Sequence, residues 1–297
     1  MDEQKQAYIY AATAVVIWST VASAFKLTLR YVTPLQLLFY ASAISTLTLL
    51  IVLFIQGKIR LLKGFSKKDY LKSLIFGFLN PFLYYMVLFK AYFLLPAQEA
   101  QPLNYTWPIM LTLLSIPLLR QRIKPASILA ILMSFTGVLI ITTHGDIFGL
   151  KFSNPAAALL ALTSALIWAL FWLFNLRDRR DETAKLFLNF LFGFTFIMLA
   201  TLFFSKPFLP NINVFLGVTY IGLFEMGITF IIWLKALNLS ETTAQVSNLI
   251  YLSPFISLII IHFTVGENIL PSTVFGLILI VSGILLQRYT QPVFTKT

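Results

Sequence analysis

Long apolar runs separated by short polar stretches are the main pattern along the chain, as in Leu47 to Ile55 and Ile250 to Phe263. A transmembrane β-barrel would instead show short segments in which apolar and polar residues alternate. A helix rises about 1.5 Å per residue, so roughly twenty apolar residues cross a hydrocarbon core of ~30 Å. This length predicts an all-α integral membrane protein with about ten transmembrane helices, which begin near Ala7, Pro34, Tyr70, Gln98, Pro125, Pro155, Lys185, Asn213, Thr243 and Pro271.

Composition agrees with a bilayer as the solvent. The 297 residues are 59% hydrophobic and 11% charged, whereas soluble domains carry about 25% charged residues. The net charge of +11 has a simple cause in a membrane protein, because cytoplasmic loops collect Lys and Arg. We therefore expect no nucleic-acid partner. The chain has no cysteine, which excludes disulfides, thiol catalysis and cysteine-bound metals.

The distribution of basic residues predicts the orientation. With the N-terminus in the cytoplasm, most of the 22 Lys and Arg residues fall in cytoplasmic loops. The opposite side then holds only Arg30, Lys90, Lys151 and Lys206. Because positive charge marks the cytoplasmic side, we expect both termini in the cytoplasm of a multi-pass protein. The first apolar run, Ala7 to Leu29, is expected to be a retained helix rather than a cleaved signal peptide.

A weak internal repeat relates the two halves of the chain. Leu103 to Pro108 matches Leu249 to Pro254 in the order of its Leu, Tyr and Pro residues, and at the same offset Gly137 meets Gly283. Five helices in each half make the second copy enter the membrane from the opposite side. Such inverted repeats recur in secondary transporters, with the solute site near the midplane between the halves. The predicted five-helix repeats comprise residues 7–145 and 154–290.

The second half carries a recognisable progression of motifs, which is Tyr251-Leu252-Ser253-Pro254, Gly266-Glu267, Pro271, Gly276 and Gly283. In this progression the chain resembles the drug/metabolite transporter superfamily, in its bacterial ten-helix form with two EamA-type repeats. The first half departs from the pattern, because Arg120-Gln121-Arg122 stands where Gly-Glu is usual. Asn104 to Pro108 and Trp18 resemble motifs of the aromatic amino-acid exporter branch. The resemblance implies a carrier in the bacterial inner membrane and no cofactor, but the fold alone does not select a substrate.

Ionisable residues inside predicted spans are candidates for function, because each costs ~2.5–3.5 kcal/mol on insertion scales. Glu225, in the middle of the eighth predicted helix, is the first candidate for binding a proton, a cation or a substrate ammonium group. Glu99 lies near the start of the fourth helix, where a cavity role and a wet, helix-capping position are equally good interpretations. We expect Lys26 to snorkel to the interface, with pairing to Glu99 or to a substrate carboxylate as the alternative. Glu267 falls in a turn and is interpreted as a cap or a loop anchor.

Polar and aromatic residues of the fourth helix predict one wall of a solute cavity. On a continuous helix Gln101, Asn104, Tyr105 and Pro108 would share a face. Aromatic walls bind flat apolar groups by stacking and ammonium groups through cation–π attraction. Structural packing or an interfacial belt is the alternative for each ring. The predicted substrate-binding residues are Trp18, Tyr84, Gln101, Asn104, Tyr105, Trp107, Trp168, Asn248 and Tyr251.

Enzyme classes fit the sequence poorly. The chain has two histidines, His144 and His262, and neither lies in a His-Glu-x-x-His motif. We therefore expect a non-enzyme that carries a small molecule, an amino acid or a related amphipathic solute, with export favoured by the resemblance and the proton as coupling ion. Transport of organic cations or drugs, or a channel, is the alternative.

Overall fold

The computed structural model describes residues 2–110, 113–114, 125–149, 154–175, 177–206, 209–240 and 248–290. These residues form helices and connecting turns, with no strand among them. Six helices are long and apolar enough to cross a membrane, namely Glu3–Thr28, Pro34–Ile55, Lys67–Leu94, Pro155–Asn175, Glu182–Phe204 and Ile212–Trp233. Shorter apolar helices are Ile128–Thr142, Leu249–Val265 and Pro271–Leu286. The all-α membrane class is thus confirmed. The number of ten transmembrane helices and the inverted repeat stay predictions. The helix start expected at Thr243 lies outside the described residues.

The described part of the first half includes α1 (Glu3–Thr28), α2 (Pro34–Ile55), α3 (Ile59–Lys63), α4 (Lys67–Gly77), α5 (Tyr84–Leu94), α6 (Ala97–Asn104) and α7 (Pro125–Thr142). The second half contains α8 (Pro155–Asn175), α9 (Glu182–Phe204), α10 (Ile212–Tyr220), α11 (Thr229–Leu239), α12 (Ser253–Val265) and α13 (Pro271–Thr290). A π-helical turn, Phe78–Leu83, joins α4 to α5, and a second one, Ile221–Ile228, joins α10 to α11.

Local sequence explains where helices begin. Thr33 and Gln36 form a reciprocal capping box at the start of α2, with Pro34 at the first helical position. Threonine satisfies a free backbone amide there, and proline loses no hydrogen bond because its missing N–H would be unpaired anyway. The starts at Pro34, Pro155 and Pro271 agree with the sequence prediction.

Two pairs of helix interruptions occupy corresponding places in the two halves. One pair is the π-helical turns in the third and eighth spans. The other pair precedes the prolines of the repeated motif: α6 ends at Asn104 before Pro108, and a 3-10 turn, Asn248–Leu252, precedes α12 and Pro254. The second pair lies within the repeated motif itself, whereas the π-helical turns lie outside it.

The predicted continuous fourth helix is wrong. The chain leaves the helix as a turn at Tyr105 and Thr106, and a new helical segment covers 107–110. Proline at 108 has no amide to donate to the carbonyl of Asn104, and its ring crowds that carbonyl. Gln101 and Asn104 therefore do not share a single helix face with Tyr105 and Pro108.

Close backbone contact joins α7 to α13. A Cβ atom on Gly137 would overlap the carbonyl oxygen of Gly276, and one on Gly276 would overlap the carbonyl of Gly137. Ser134 adds a hydrogen bond from its hydroxyl to the Ile280 carbonyl at 3.2 Å. Small residues allow such approach in membrane proteins, where lipid tails are as apolar as leucine and packing drives association.

We expect Gly137→Val to destabilise the protein by about 1–3 kcal/mol, because the added side chain forces the two helices apart. Thermal unfolding in detergent should show the loss as a lower midpoint. Phe135→Val is the matched control, since Phe135 lies on the same helix and is exposed. Equal midpoints for Gly137→Val and the wild type would contradict the close packing.

Candidate functional site

Glu225 lies buried in the π-helical turn of the eighth span. Its Oε1 accepts a hydrogen bond from the Tyr85 hydroxyl at 3.1 Å, and the Trp18 side chain donates a second hydrogen bond. Both donors belong to the first half of the chain, whereas Glu225 belongs to the second. The Glu225 carboxylate therefore lies where the two halves of the chain meet.

The π-helical turns explain how these side chains converge. A π turn inserts a residue and changes the direction of the side chains after it, and such turns recur at functional sites. Tyr84 and Tyr85 come directly after the turn at Phe78–Leu83. In the eighth span Phe230 follows Glu225 by five residues, a spacing that a regular α-helix would place on different faces.

A continuous series of ring contacts links Trp18 to Tyr85, the two hydrogen-bonding partners of Glu225. Ring centroids lie 6.2 Å apart for Trp18 and Phe230, 5.7 Å for Phe230 and Trp168, and 4.6 Å for Trp168 and Tyr84. Tyr84 contacts Tyr85 at 4.7 Å, which closes the path back to the carboxylate. We call these residues the Glu225 cluster: Trp18, Tyr84, Tyr85, Trp168, Glu225 and Phe230.

Polar groups of the broken fourth helix extend the cluster. The Asn104 amide donates to the Ser164 hydroxyl at 2.9 Å, and its carbonyl oxygen accepts from the Tyr84 hydroxyl at 3.4 Å. Gln101 is 2% exposed, and its side-chain oxygen has no hydrogen-bonding partner among the described residues. This oxygen can accept a hydrogen bond from a bound solute.

The two helix breaks touch each other. Tyr105, in the turn of the fourth helix, shares a hydrogen bond with Ser253 at the start of α12. Ser19 of α1 also contacts Ser253, with 3.2 Å between the hydroxyl oxygens. The interrupted segments and α1 thus meet near the centre of the molecule.

The structure brings together four of the nine predicted substrate-binding residues. Trp18, Tyr84 and Trp168 belong to the Glu225 cluster, and Asn104 bonds to it directly. Trp107 instead packs against Ala169 and Leu173. Tyr251 is partly buried against three apolar clusters, and Trp18 packs against two of them, whereas the side chain of Asn248 lies outside the described residues.

Sequence reasoning missed Phe230 and Ser164 and undervalued Tyr85. Phe230 is one of 29 phenylalanines and Ser164 is an ordinary small residue of a span, so neither has a signal in composition. The π-helical turn that aligns Phe230 with Glu225 has no residue-level signature in the chain.

Lys26 binds backbone carbonyls in this structure, and its expected snorkelling and its pairing with Glu99 or a substrate carboxylate stay predictions. Its ammonium group donates to the backbone carbonyls of Tyr92 at 2.9 Å and Leu95 at 2.5 Å. These carbonyls belong to the end of α5, where the helix leaves them unpaired and carries partial negative charge. Lys26 therefore holds the end of α5 against α1.

Several contacts join the halves at the end where α1, α5 and α12 finish, which we call the Arg30 end. The Glu267 carboxylate accepts the backbone N–H groups of Ala97 at 2.8 Å and Gln98 at 3.0 Å. It is a helix cap, as predicted, but it caps α6 of the other half. Arg30 donates to the Val265 carbonyl at 2.7 Å.

Glu99 and Gln98 strengthen the same end. Glu99 is 1% exposed, which rules out the wet position considered from sequence, and its Oε1 lies 2.7 Å from Nε2 of His144. The Gln98 side chain donates to the Asn268 carbonyl and accepts the Leu270 amide, each at 2.9 Å. The start of α6 is thus fixed on the turn after α12.

A second set of contacts lies at the opposite end, which we call the Lys58 end. Lys58 pairs with Asp181 at 2.7 Å, and Arg180 donates to the Ser73 hydroxyl at 2.9 Å and to the Asp69 carbonyl at 2.8 Å. Burial alone would raise the pKa of Asp181, but hydrogen bonds from Lys58 and from backbone amides outweigh it and hold that pKa below its usual range. The pair is therefore fully charged at neutral pH, and its stabilisation is lost only as pH falls through that lowered pKa.

The described residues contain no group of three His, Asp or Glu side chains placed to hold a metal ion. The Glu225 cluster offers one carboxylate, several hydroxyl and amide groups, and aromatic faces. That combination can bind a small amphipathic molecule or a proton.

Comparison with known proteins agrees with a membrane carrier. YyaM of Bacillus subtilis (strain 168), named an uncharacterized transporter, is 25% identical over 272 residues, which cover 88% of this chain and 86% of that protein. The aromatic amino acid exporter YddG of Ancylobacter novellus is 25% identical over 239 residues, 77% of this chain and 79% of that protein.

One solved crystal structure superimposes with a TM-score of 0.67 and covers 97% of this chain and 99% of its own, at 22% identity. That likeness shows the fold. The model of the EamA-like transporter family matches residues 5–143 and again residues 155–289. With its several membrane-length apolar helices, this multi-pass chain belongs to the EamA-like transporter family.

Proposed function

We propose that the protein is a secondary active transporter, and not an enzyme, that moves a small metabolite across the bacterial inner membrane by alternating access. The solute is an amino acid or a related amphipathic molecule, and the direction is export. The naming of one relative as an aromatic amino acid exporter supports this direction and this solute class.

The observation that carries the proposal is the buried carboxylate of Glu225 at the junction of the halves. A charge in the hydrocarbon region is costly and is kept where it pairs, binds or carries protons. Two donors from the first half hold Glu225, so any change in its charge acts on both halves. A proton that binds there can therefore bias the position of one half against the other.

A second solute class, organic cations, has one observation in its favour. The two ammonium groups that are at least partly buried in the described spans, those of Lys26 and Lys185, both bind backbone carbonyls. A solute's ammonium group can pair with Glu225 and stack on the rings, whereas a solute's carboxylate would have to use uncharged donors such as hydroxyl and amide groups. Arylalkyl amines are therefore the alternative to amino acids.

Alternating access is supported by the two sets of contacts at opposite ends. Contacts at the Arg30 end join α1 and α6 to the turn after α12, and contacts at the Lys58 end join the α3–α4 region to the α8–α9 turn. In a carrier of two repeats, the solute site opens to one side of the membrane when the contacts at that end separate and the contacts at the opposite end stay formed. The excess of basic residues favours a cytoplasmic Lys58 end together with both termini, and this makes the Arg30 end the outer one. The repeat of the family match supports the two-repeat plan.

We expect Glu225→Gln to abolish accumulation driven by a pH gradient in proteoliposomes, because the amide neither binds nor releases a proton in this range. Exchange of labelled for unlabelled solute should persist, and a channel would show no such exchange. Glu3→Gln is the control, since Glu3 is exposed in the first turn of α1. If accumulation by the Glu225→Gln variant still depended fully on the pH gradient, Glu225 would not be the coupling residue.

We expect Trp168→Ala to weaken solute binding about tenfold, because lost ring contacts cost about 0.5–1.5 kcal/mol beyond the lost buried area. Thermal stabilisation by paired solutes, tryptophan against tryptamine, measures binding and also separates the two solute classes. Trp107→Ala is the matched control, as Trp107 packs against Ala169 and Leu173. Equal losses in both variants would place the solute away from the Glu225 cluster.

We expect Glu267→Gln to open the Arg30 end, because a helix N-terminus gains about 0.3–2 kcal/mol from a nearby carboxylate. A cysteine at Asn104 is then the only thiol of the chain, and its rate of labelling from the Arg30 side should rise by about two- to thirtyfold. Asp181→Asn, which breaks the pair at the Lys58 end, should raise labelling from that side instead. Loss of sidedness, with both variants raising both rates, would contradict gating by these contacts.

A further inference from the structure

A lateral groove opens between the two halves near the Arg30 end. Its walls come from the start of α2, from α5, from α8 and from the end of α9, and its volume is about 560 Å³. Pockets of roughly 300–1,000 Å³ hold small ligands. The groove is separate from the Glu225 cluster, with which it shares no lining residue.

The chemistry of the groove is divided between an apolar wall and a basic rim. Met86, Leu160 and Phe204 provide apolar surface, whereas Lys90 and Lys206 carry the charge. Among the described residues, none that lines the groove is acidic. Both lysines are exposed, and the capped start of α2 directs its positive dipole end at the same rim.

The position of these lysines is unusual for the chain. The predicted outer side holds only Arg30, Lys90, Lys151 and Lys206 against a large cytoplasmic excess. Arg30 binds the Val265 carbonyl, and Lys151 lies outside the described residues. The two remaining exceptions, Lys90 and Lys206, line one groove.

We propose that this groove binds an anionic phospholipid, with the phosphate between Lys90 and Lys206 and an acyl chain along Met86, Leu160 and Phe204. Lysines near the ends of spans lie at the level of lipid phosphates, and each contributes to attraction of anionic lipid. A free anion would gain nothing from the apolar wall, and a zwitterionic lipid would bring a second positive charge to a basic rim. Because the groove lies between the halves, a bound lipid contacts both.

Purified protein titrated with phosphatidylglycerol or phosphatidylcholine in mixed micelles tests the proposal. We expect phosphatidylglycerol to raise the unfolding midpoint and to remain bound in native mass spectrometry, and phosphatidylcholine to do neither. The variant with both Lys90→Gln and Lys206→Gln should bind phosphatidylglycerol at least about tenfold more weakly, at about fivefold for each lysine. The variant with both lysines changed to arginine should retain binding.

Lys235→Gln is the matched control, because Lys235 occupies the position in the second half that corresponds to Lys90 and contacts the Tyr10 ring instead. Equal stabilisation by the two lipids, or unchanged affinity in the double glutamine variant, would overturn the proposal. Inorganic phosphate acting as well as phosphatidylglycerol would show a free-anion site and overturn it too. If the double variant does not fold, Lys206→Gln alone carries the test, with the expected loss of about fivefold. These measurements need no transport, so their outcome is independent of the proposed carrier function.

Discussion

Burial of one carboxylate between two halves of the chain is the constraint on which the centre of this protein depends. An isolated ionised carboxylate is very costly in an apolar interior unless hydrogen bonds compensate it. Tyr85 and Trp18 supply those bonds, and both come from the half that does not contain Glu225. The acid therefore has a satisfied environment only when the halves are together, which links its charge to their relative position.

Interrupted helices make that arrangement possible. A regular helix would have no exposed backbone groups in its middle and would direct Phe230 away from Glu225. The π-helical turns and the proline-linked breaks occur in both halves, and in membranes such irregular backbone is tolerated where protein or a wet cavity surrounds it. The breaks meet through Tyr105 and Ser253, so the least regular segments lie beside the proposed solute site.

The ends of the molecule depend on backbone groups as much as on charged pairs. Lys26 and Glu267 each bind the unpaired groups of a helix end, one at carbonyls and the other at amides. Such contacts complement the helix dipole and can separate as whole helices move. The lateral groove with Lys90 and Lys206 lies at the same end, so a lipid bound in it would contact the helices that these bonds hold together.

The sequence by itself determined the class of protein and the starts of several helices and singled out Glu225 as an acid within a span, because run length, proline position and a charge in an apolar run are local properties. It also predicted the repeat and named Trp18, Tyr84, Asn104 and Trp168. The partners of Lys26, Glu99 and Glu267 were decided only by the tertiary structure, since each partner lies on another helix or turn. Trp107 and Trp168 look equivalent in the chain, but of the two only Trp168 belongs to the Glu225 cluster. The turn at Tyr105 and Thr106 redirects the segment that contains Trp107.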